Sequence, residues 1–360
     1  MPDSLQAELA SVPSRLEYVI QDFFIQNQSR FNYGELFEPI YFDMAEYVGR
    51  KGKRVRPMLF LYTYKALGGE RSLEDKALLH LAASLEFLHA FILVHDDLID
   101  CSEMRRGLPT FHKLVEQKLL PIDGSDRIGR NVAMVAGDIL FSLAVQMVND
   151  ADFSPDIKNR ILGKFLSYVV DTGSGEIFDI LLGVRDISRV SREDILLTYD
   201  LKTTRYTFEA PCVLGALLAG ASSEKIETLV QACQDLGLAF QIQNDLAEFK
   251  QMTIEDGHLQ TDLQEGKKTL LLWEAFQRLD DVHRSFLSMC LNSSRCTEAT
   301  ILKIRDLIER SRAVDALNTM AFELFEKAET SLRNGRFEVS ESALLFEAIQ
   351  NIRQQVRVYT

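Results

Sequence analysis

Three carboxylates set close together are the first residues in this chain that could do chemistry. HDDLID at 95–100 puts Asp96 and Asp100 one helical turn apart on the same face, with Asp97 flanking them. An apolar stretch at 81–94 leads into them, so the carboxylates stand at the end of an otherwise buried helix. Ionised groups are costly there unless something neutralises them. Magnesium suits such a turn, because it prefers carboxylate oxygen, keeps several waters and completes its shell with substrate phosphates. The expectation is a phosphate-bearing substrate. A merely solvated helix end has the same local sequence, so the rest of the chain has to decide.

A second acidic turn echoes the first. LGLAFQIQNDLAEFK at 236–250 is an apolar helix that reaches Gln241, then Asn244, Asp245 and, one turn later, Glu248. Packing alone does not explain two oxygen-rich turns on separate buried helices. Basic groups accompany both. GRKGKRVRP at 49–57 carries five basic residues beside glycine, which is either a solvated charge run or an anion clamp. Lys267 and Lys268 follow Gly266 close to the second turn, and Lys202, Thr203 and Thr204 precede a helix of small residues that Pro211 kinks or begins. Glu176 and Asp179, three apart, share a helical face.

The elements that must position these groups read as helices. Leu16, Val19, Ile20, Phe23 and Phe24 recur at helical intervals, 132–149 reads as a buried helix close to the first acidic turn, and 297–358 reads as helix, turn, helix with a break at Asn334-Gly335. Hardly any stretch alternates as a half-buried strand does. The expected fold is all-α, a single large helical bundle of residues 1–360 around a central cavity, with the two acidic turns on facing helices. Its last part, 276–360, is helical without legible chemistry.

Composition narrows the function. A formal net charge of −13 excludes nucleic acid as the expected partner, because binding a phosphate backbone needs a basic surface. Any anionic substrate must then be held through metal. Five scattered cysteines, Cys101, Cys212, Cys233, Cys290 and Cys296, without CxxC spacing, fit neither a disulfide framework nor a zinc site, so a reducing cytoplasm is expected. The first twenty residues lack the basic-then-apolar order of a signal peptide. The most apolar stretches, 81–94 and 132–148, are short or interrupted by Glu86, His89 or Asp138, so no membrane span is expected.

Taken together, GKRVRP at 52–57, HDDLID with RRGLPTFH, GDILFSLA at 137–144, KTTRY at 202–206, FQIQND at 240–245 and TDLQEGKKTL at 261–270 resemble the trans-isoprenyl diphosphate synthases, the polyprenyl synthetase family. The likeness runs over about residues 45–275 in the family's order. It implies the isoprenoid-synthase type of helical fold and a magnesium-dependent prenyltransferase of isoprenoid biosynthesis. Such an enzyme condenses isopentenyl diphosphate with an allylic diphosphate to give a product of fifteen or twenty carbons, and it works as a homodimer. By the same resemblance Asp96, Asp100, Asn244 and Glu248 bind magnesium, and Arg105, Lys202 and Lys267 meet the allylic diphosphate. Lys53, Arg56, His89 and Arg106 form the pocket for isopentenyl diphosphate, and Thr203 and Gln241 lie beside the developing carbocation. Phe91 is implied as the floor that limits product length, whereas the helical wheel favours Ile92 and Leu88.

Two positions depart from the family pattern. The second motif begins with Asn244 where aspartate is usual, and Glu176 stands where glutamine is common. Two rival readings stay open on the sequence. A class I terpene cyclase shares the fold and the metal-driven ionisation but has no second diphosphate to hold. A non-catalytic partner subunit of a synthase is the other rival, although the first acidic turn is intact.

Overall fold

Apolar residues at helical spacing draw this chain into helices along nearly its whole length. The computed structural model describes residues 3–105, 107–119, 122–251, 266–292, 297–335 and 337–357. Packing divides the chain into two compact units, one of residues 1–65 and 69–163 and the other of residues 66–68 and 164–360.

The first unit holds α1 (Asp3–Asn27), α2 (Glu38–Gly49), α3 (Val55–Ala66), α4 (Lys76–Ile99), α5 (Phe111–Leu119) and α6 (Ser125–Asp150). Its centre is α4, which begins where the Asp75 carboxylate accepts the Leu78 N–H and is buried along most of its length from Ala77 to Val94. The apolar stripe of α1 lies on it: the rings of Phe23 and Phe24 each sit 5.3 Å from Phe87. Each such ring contributes about 2 kcal/mol by leaving water. Against α4 runs α6. A Cβ on Gly137 would stand 2.4 Å from His95 Nε2, so a residue with a side chain there would displace the imidazole.

The structure corrects the sequence reading in two places here. The helix at 132–149 is not buried all round: Asp138, Met134 and Val135 are exposed, and only the face carrying Ala133, Gly137, Leu140 and Ala144 is covered. A small antiparallel ladder, β1 (Met104–Arg105) with β2 (Leu108–Pro109), interrupts the helical pattern just after the first acidic turn. Among the described residues two helices, α4 and α6, are long and apolar enough to cross a membrane; 72% of the most apolar window of α4 and 44% of that of α6 is buried within the protein. Core packing accounts for the window of α4.

The second unit contains most of α7 (Pro155–Gly183), then α8 (Arg192–Tyr199), a π-helical stretch (Asp200–Glu209) and α9 (Ala210–Leu218). It continues through α10 (Ser223–Gln251), α11 (Leu270–Arg278), α12 (Asp281–Leu291), α13 (Glu298–Arg310), α14 (Ala313–Asn334) and α15 (Val339–Arg357). A capping box starts α8, with Ser191 and Asp194 each accepting the other's backbone N–H. The π-helical stretch widens the turn just before Pro211, which has no N–H to give and enters in the first turn of α9. Behind the second acidic turn, α14 packs along α10 and adds an ion pair, Lys327 to Asp235 at 2.8 Å. It ends at Asn334, and Gly335 caps it.

Candidate functional site

The first acidic turn ends α4, with Asp100 as its C-cap and the Asp100 N–H bonded to the Asp96 carbonyl. Carboxylates at a helix C-terminus meet the negative end of the helix dipole, so they call for cations. Arg105, on β1, supplies one. Its Nη2 donates to Asp96 at 2.9 Å and its Nε to Asp97 at 2.7 Å. Asp97 is 0% exposed and its other oxygen accepts the Tyr47 hydroxyl at 2.9 Å. Burial pushes the Asp97 carboxyl up to about 6, with Arg105 pulling the other way. Burial also raises the Tyr47 phenol, so it stays a donor, and the two aspartates outweigh burial in keeping Arg105 charged. Asp97 is therefore the anchor of the turn, and Asp96 and Asp100, both half-buried, are its outer oxygens.

The basic run divides into inward and outward residues. Arg54 is buried with a left-handed φ of 49°. Its guanidinium pairs with the Glu86 carboxylate and donates to the carbonyls of Val48, Gly49 and Arg50. Those four acceptors hold a backbone conformation that a non-glycine residue rarely adopts. Arg50 lies over the Tyr47 ring at 4.7 Å and bonds Glu46. Neither a solvated run nor a clamp describes these two, which are structural. Of the other basic residues expected in a clamp, Lys53 is exposed and Arg56 is half-buried in the first turn of α3. On α4, His89, Ile92, Asp96 and Asp100 fall along one face. Phe91 instead turns toward α6, its ring 4.8 Å from His95 and 5.3 Å from Phe141. Arg106 lies outside the described residues.

In the second unit a chain of hydrogen bonds builds the second acidic turn. Thr203 donates to Gln241 at 3.1 Å, and Gln241 Nε2 donates to Asp245 Oδ1 at 3.0 Å. Asp245 Oδ2 accepts the Tyr199 hydroxyl, which itself accepts the Leu270 N–H at 2.8 Å. Asp245 is buried, Asn244 is half-buried and Glu248 is exposed. Lys202 lies in the π-helical stretch, 2.9 Å from Glu176 and 2.7 Å from Asp179 on α7. The two acidic residues do share a face, and Lys202 is what they share it for. Beyond α10 the paired lysines part. Lys268 is buried and donates to the carbonyls of Gly183, at 3.0 Å, and Gly266, its pKa held down by burial. Lys267 is half-buried.

Among the described residues no three His, Cys, Asp or Glu side chains converge into a ready-made metal cage. Two pairs of oxygen donors, Asp96 with Asp100 and Asn244 with Glu248, each one helical turn apart, remain. Few protein oxygens per ion suit magnesium, which takes its other ligands from water and phosphate. Sequence reasoning missed Tyr47 and Tyr199, the hydroxyls that anchor both turns, and no spacing rule links either to its aspartate.

Comparison with known proteins identifies the family. Residues 38–308 match the family described as polyprenyl synthetase. A short chain isoprenyl diphosphate synthase of Methanothermobacter thermautotrophicus is 30% identical over 303 residues, 84% of each chain. A geranylgeranyl diphosphate synthase of Sulfolobus acidocaldarius is 26% identical over 309 residues, 84% of this chain and 87% of that one. Among solved structures, a geranylgeranyl pyrophosphate synthase from Corynebacterium glutamicum, complexed with isoprenyl diphosphate and magnesium, superposes with a TM-score of 0.85 at 26% identity. That likeness covers 96% of this chain and 99% of the other.

Proposed function

Because the chain belongs to the polyprenyl synthetase family, we propose that it condenses isopentenyl diphosphate with an allylic diphosphate, lengthening the latter by five carbons to a short-chain isoprenyl diphosphate. The observation that carries this reading is the first acidic turn: Tyr47 and Arg105 lock Asp97 in place, so that Asp96 and Asp100 flank a fixed carboxylate. Magnesium, when bound, neutralises the charge that develops on the departing diphosphate. The protein's own groups do the rest. Asp96 and Asp100, and Asn244 with Glu248, are the proposed magnesium ligands. Lys202, Lys267 and Arg105 hold the allylic diphosphate, and Lys53, Arg56 and His89 hold isopentenyl diphosphate, with Arg106 assigned there by resemblance. Thr203 Oγ1 and the Gln241 amide, bonded to each other, present fixed dipoles to the allylic cation, and preorganised dipoles of this kind stabilise charge without reorganising.

The test is to incubate the protein with magnesium and an allylic diphosphate, with and without labelled isopentenyl diphosphate, and to size the products. Products that carry the label and require both substrates support the reading. Hydrocarbon made from the allylic diphosphate alone would show a cyclase instead. Products of fifteen or twenty carbons are expected, and Phe91→Ala is expected to lengthen them. The homodimer implied by the family is supported by an exposed apolar stripe on α7, Leu166, Val170, Ile177 and Leu181, whose spacing of 4, 7 and 4 residues lines one helical face. Light scattering on wild type and Val170→Glu tests it, with dissociation expected of the variant.

A further inference from the structure

Lys202 does not wait for its ligand as an open charge. The α7 backbone at Gly175 touches the π-helical stretch so closely that a Cβ there would stand 2.4 Å from the Lys202 N and 2.8 Å from its Cα. That contact sets the root of the Lys202 side chain beside α7, and the ammonium reaches back to Glu176 and Asp179 at 2.9 and 2.7 Å. All three side chains are only about a fifth exposed (21%, 18% and 19%), where charges are incompletely screened. One carboxylate would be enough to orient an ammonium. A second one, a turn away on the same helix, competes with any incoming anion for the same three N–H donors.

We propose that Glu176 is a positioning residue that weakens the hold of Lys202 on the diphosphate, keeping substrate binding and the release of inorganic diphosphate in balance. The inference rests on the assignment of Lys202 to the diphosphate. Either carboxylate alone orients the ammonium, and the second one, Glu176 beside Asp179, lowers how much of its charge a ligand can claim. A diphosphate that takes Lys202 does so against two neighbouring negative charges, so it binds less tightly and leaves sooner. Release of product is often the slow step in a well-evolved enzyme, and a competing carboxylate is a way to hasten it.

The experiment titrates inorganic diphosphate, with magnesium present, into the full-length protein and its variants by calorimetry, alongside steady-state kinetics with the allylic substrate. Glu176→Gln keeps the size and the hydrogen-bonding capacity of the side chain but removes its charge. Its dissociation constant for diphosphate is expected to fall roughly fivefold, the worth of a part-exposed charge pair. Its KM for the allylic substrate should fall with it, and product inhibition by diphosphate should become stronger. Asp179→Asn should move diphosphate affinity in the same direction, and it provides the reading if Glu176→Gln melts below the assay temperature. A purely structural Glu176 would give the opposite sign, because a loosened Lys202 binds anions less well. Unchanged or weaker diphosphate binding in both variants, with wild type binding normally, overturns the inference. Failure of the functional reading has a different signature: wild type itself would bind no diphosphate and incorporate no isopentenyl diphosphate, and the inference would fall with it.

Discussion

In the first acidic turn the buried aspartate, Asp97, is held by a cation and a phenol; in the second, Asp245 is held by an amide and a phenol. Each turn hides its middle carboxylate and presents oxygens on either side of it. The difference lies in what else each anchor does. Arg105 binds Asp96 as well as Asp97, so it links the anchor to a proposed metal ligand through charge. Tyr199 accepts the Leu270 N–H, so it links the anchor to the chain that follows Lys267 through a neutral bond. A charged anchor is strong, but its loss leaves a buried charge behind. A neutral one is weaker and costs less to disturb, yet it ties two elements together.

The contrast is tested most severely at the outer oxygens. Asp100→Ala should cut turnover about a thousandfold, because a metal's stabilisation of developing charge is worth several kcal/mol. Its melting temperature should stay close to wild type, since thinning a crowd of carboxylates relieves repulsion. Near-normal turnover in that variant would remove the metal assignment. Next come the anchors. Asp97→Asn takes the buried carboxylate away from Arg105 and should cost about 3 kcal/mol, whereas Asp245→Asn weakens the bonds from Gln241 and Tyr199 and should cost about 1.5 kcal/mol. Urea unfolding measures both, and equal costs would erase the distinction between the two anchors.

The phenols reverse the ranking. Tyr199→Phe removes both the bond to Asp245 and the bond from the Leu270 N–H and should cost about 2 kcal/mol, against about 1 kcal/mol for Tyr47→Phe, which removes one bond to Asp97. Beyond stability, only Tyr199→Phe should raise the KM for the allylic substrate, through the backbone next to Lys267. The smallest effect concerns Asn244. A neutral amide donates to magnesium more weakly than a carboxylate, so Asn244→Asp should lower the magnesium concentration for half-maximal turnover about tenfold, or 1.4 kcal/mol. Glu248→Gln should raise it. An identical magnesium response in wild type and both variants would exclude this turn from the metal site.

Helices and outer carboxylates were legible because they obey local rules: apolar periodicity and a spacing of four. The anchors were not. Tyr47 lies 50 positions from Asp97, and Tyr199 lies 46 from Asp245, so only the folded chain brings them together. Local sequence also could not separate like from like. Lys267 and Lys268 are adjacent and identical, yet one turns in to meet two carbonyls because the backbone at Gly183 passes close by. Arg54 sits among five basic residues and is the one whose partner, Glu86, lies 32 positions away on the core helix. Glu86 itself read as a blemish in an apolar run. Pro211 did announce a break in the helix, but the widened turn ahead of it carries no composition of its own.

That widened turn makes chain length itself part of the information in this region. In the ten residues of the π-helical stretch the backbone bonds skip one residue further than in an α-helix, so the chain carries slack that an ordinary helix would not hold. Removing a single residue between Thr204 and Glu209 would let the backbone close into regular α-helix, with its bonding intact. The slack absorbs the lost residue, so the helices before and after the stretch would keep nearly their present facing, and the change would fall on the residues inside it. Lys202 and Thr203 lie inside the stretch, so their bonds to the two carboxylates of α7 and to Gln241 are the ones that would change. Such a deletion changes no surviving side chain, and substitutions at individual positions cannot reproduce its effect. Along these ten residues, the count matters as much as the letters.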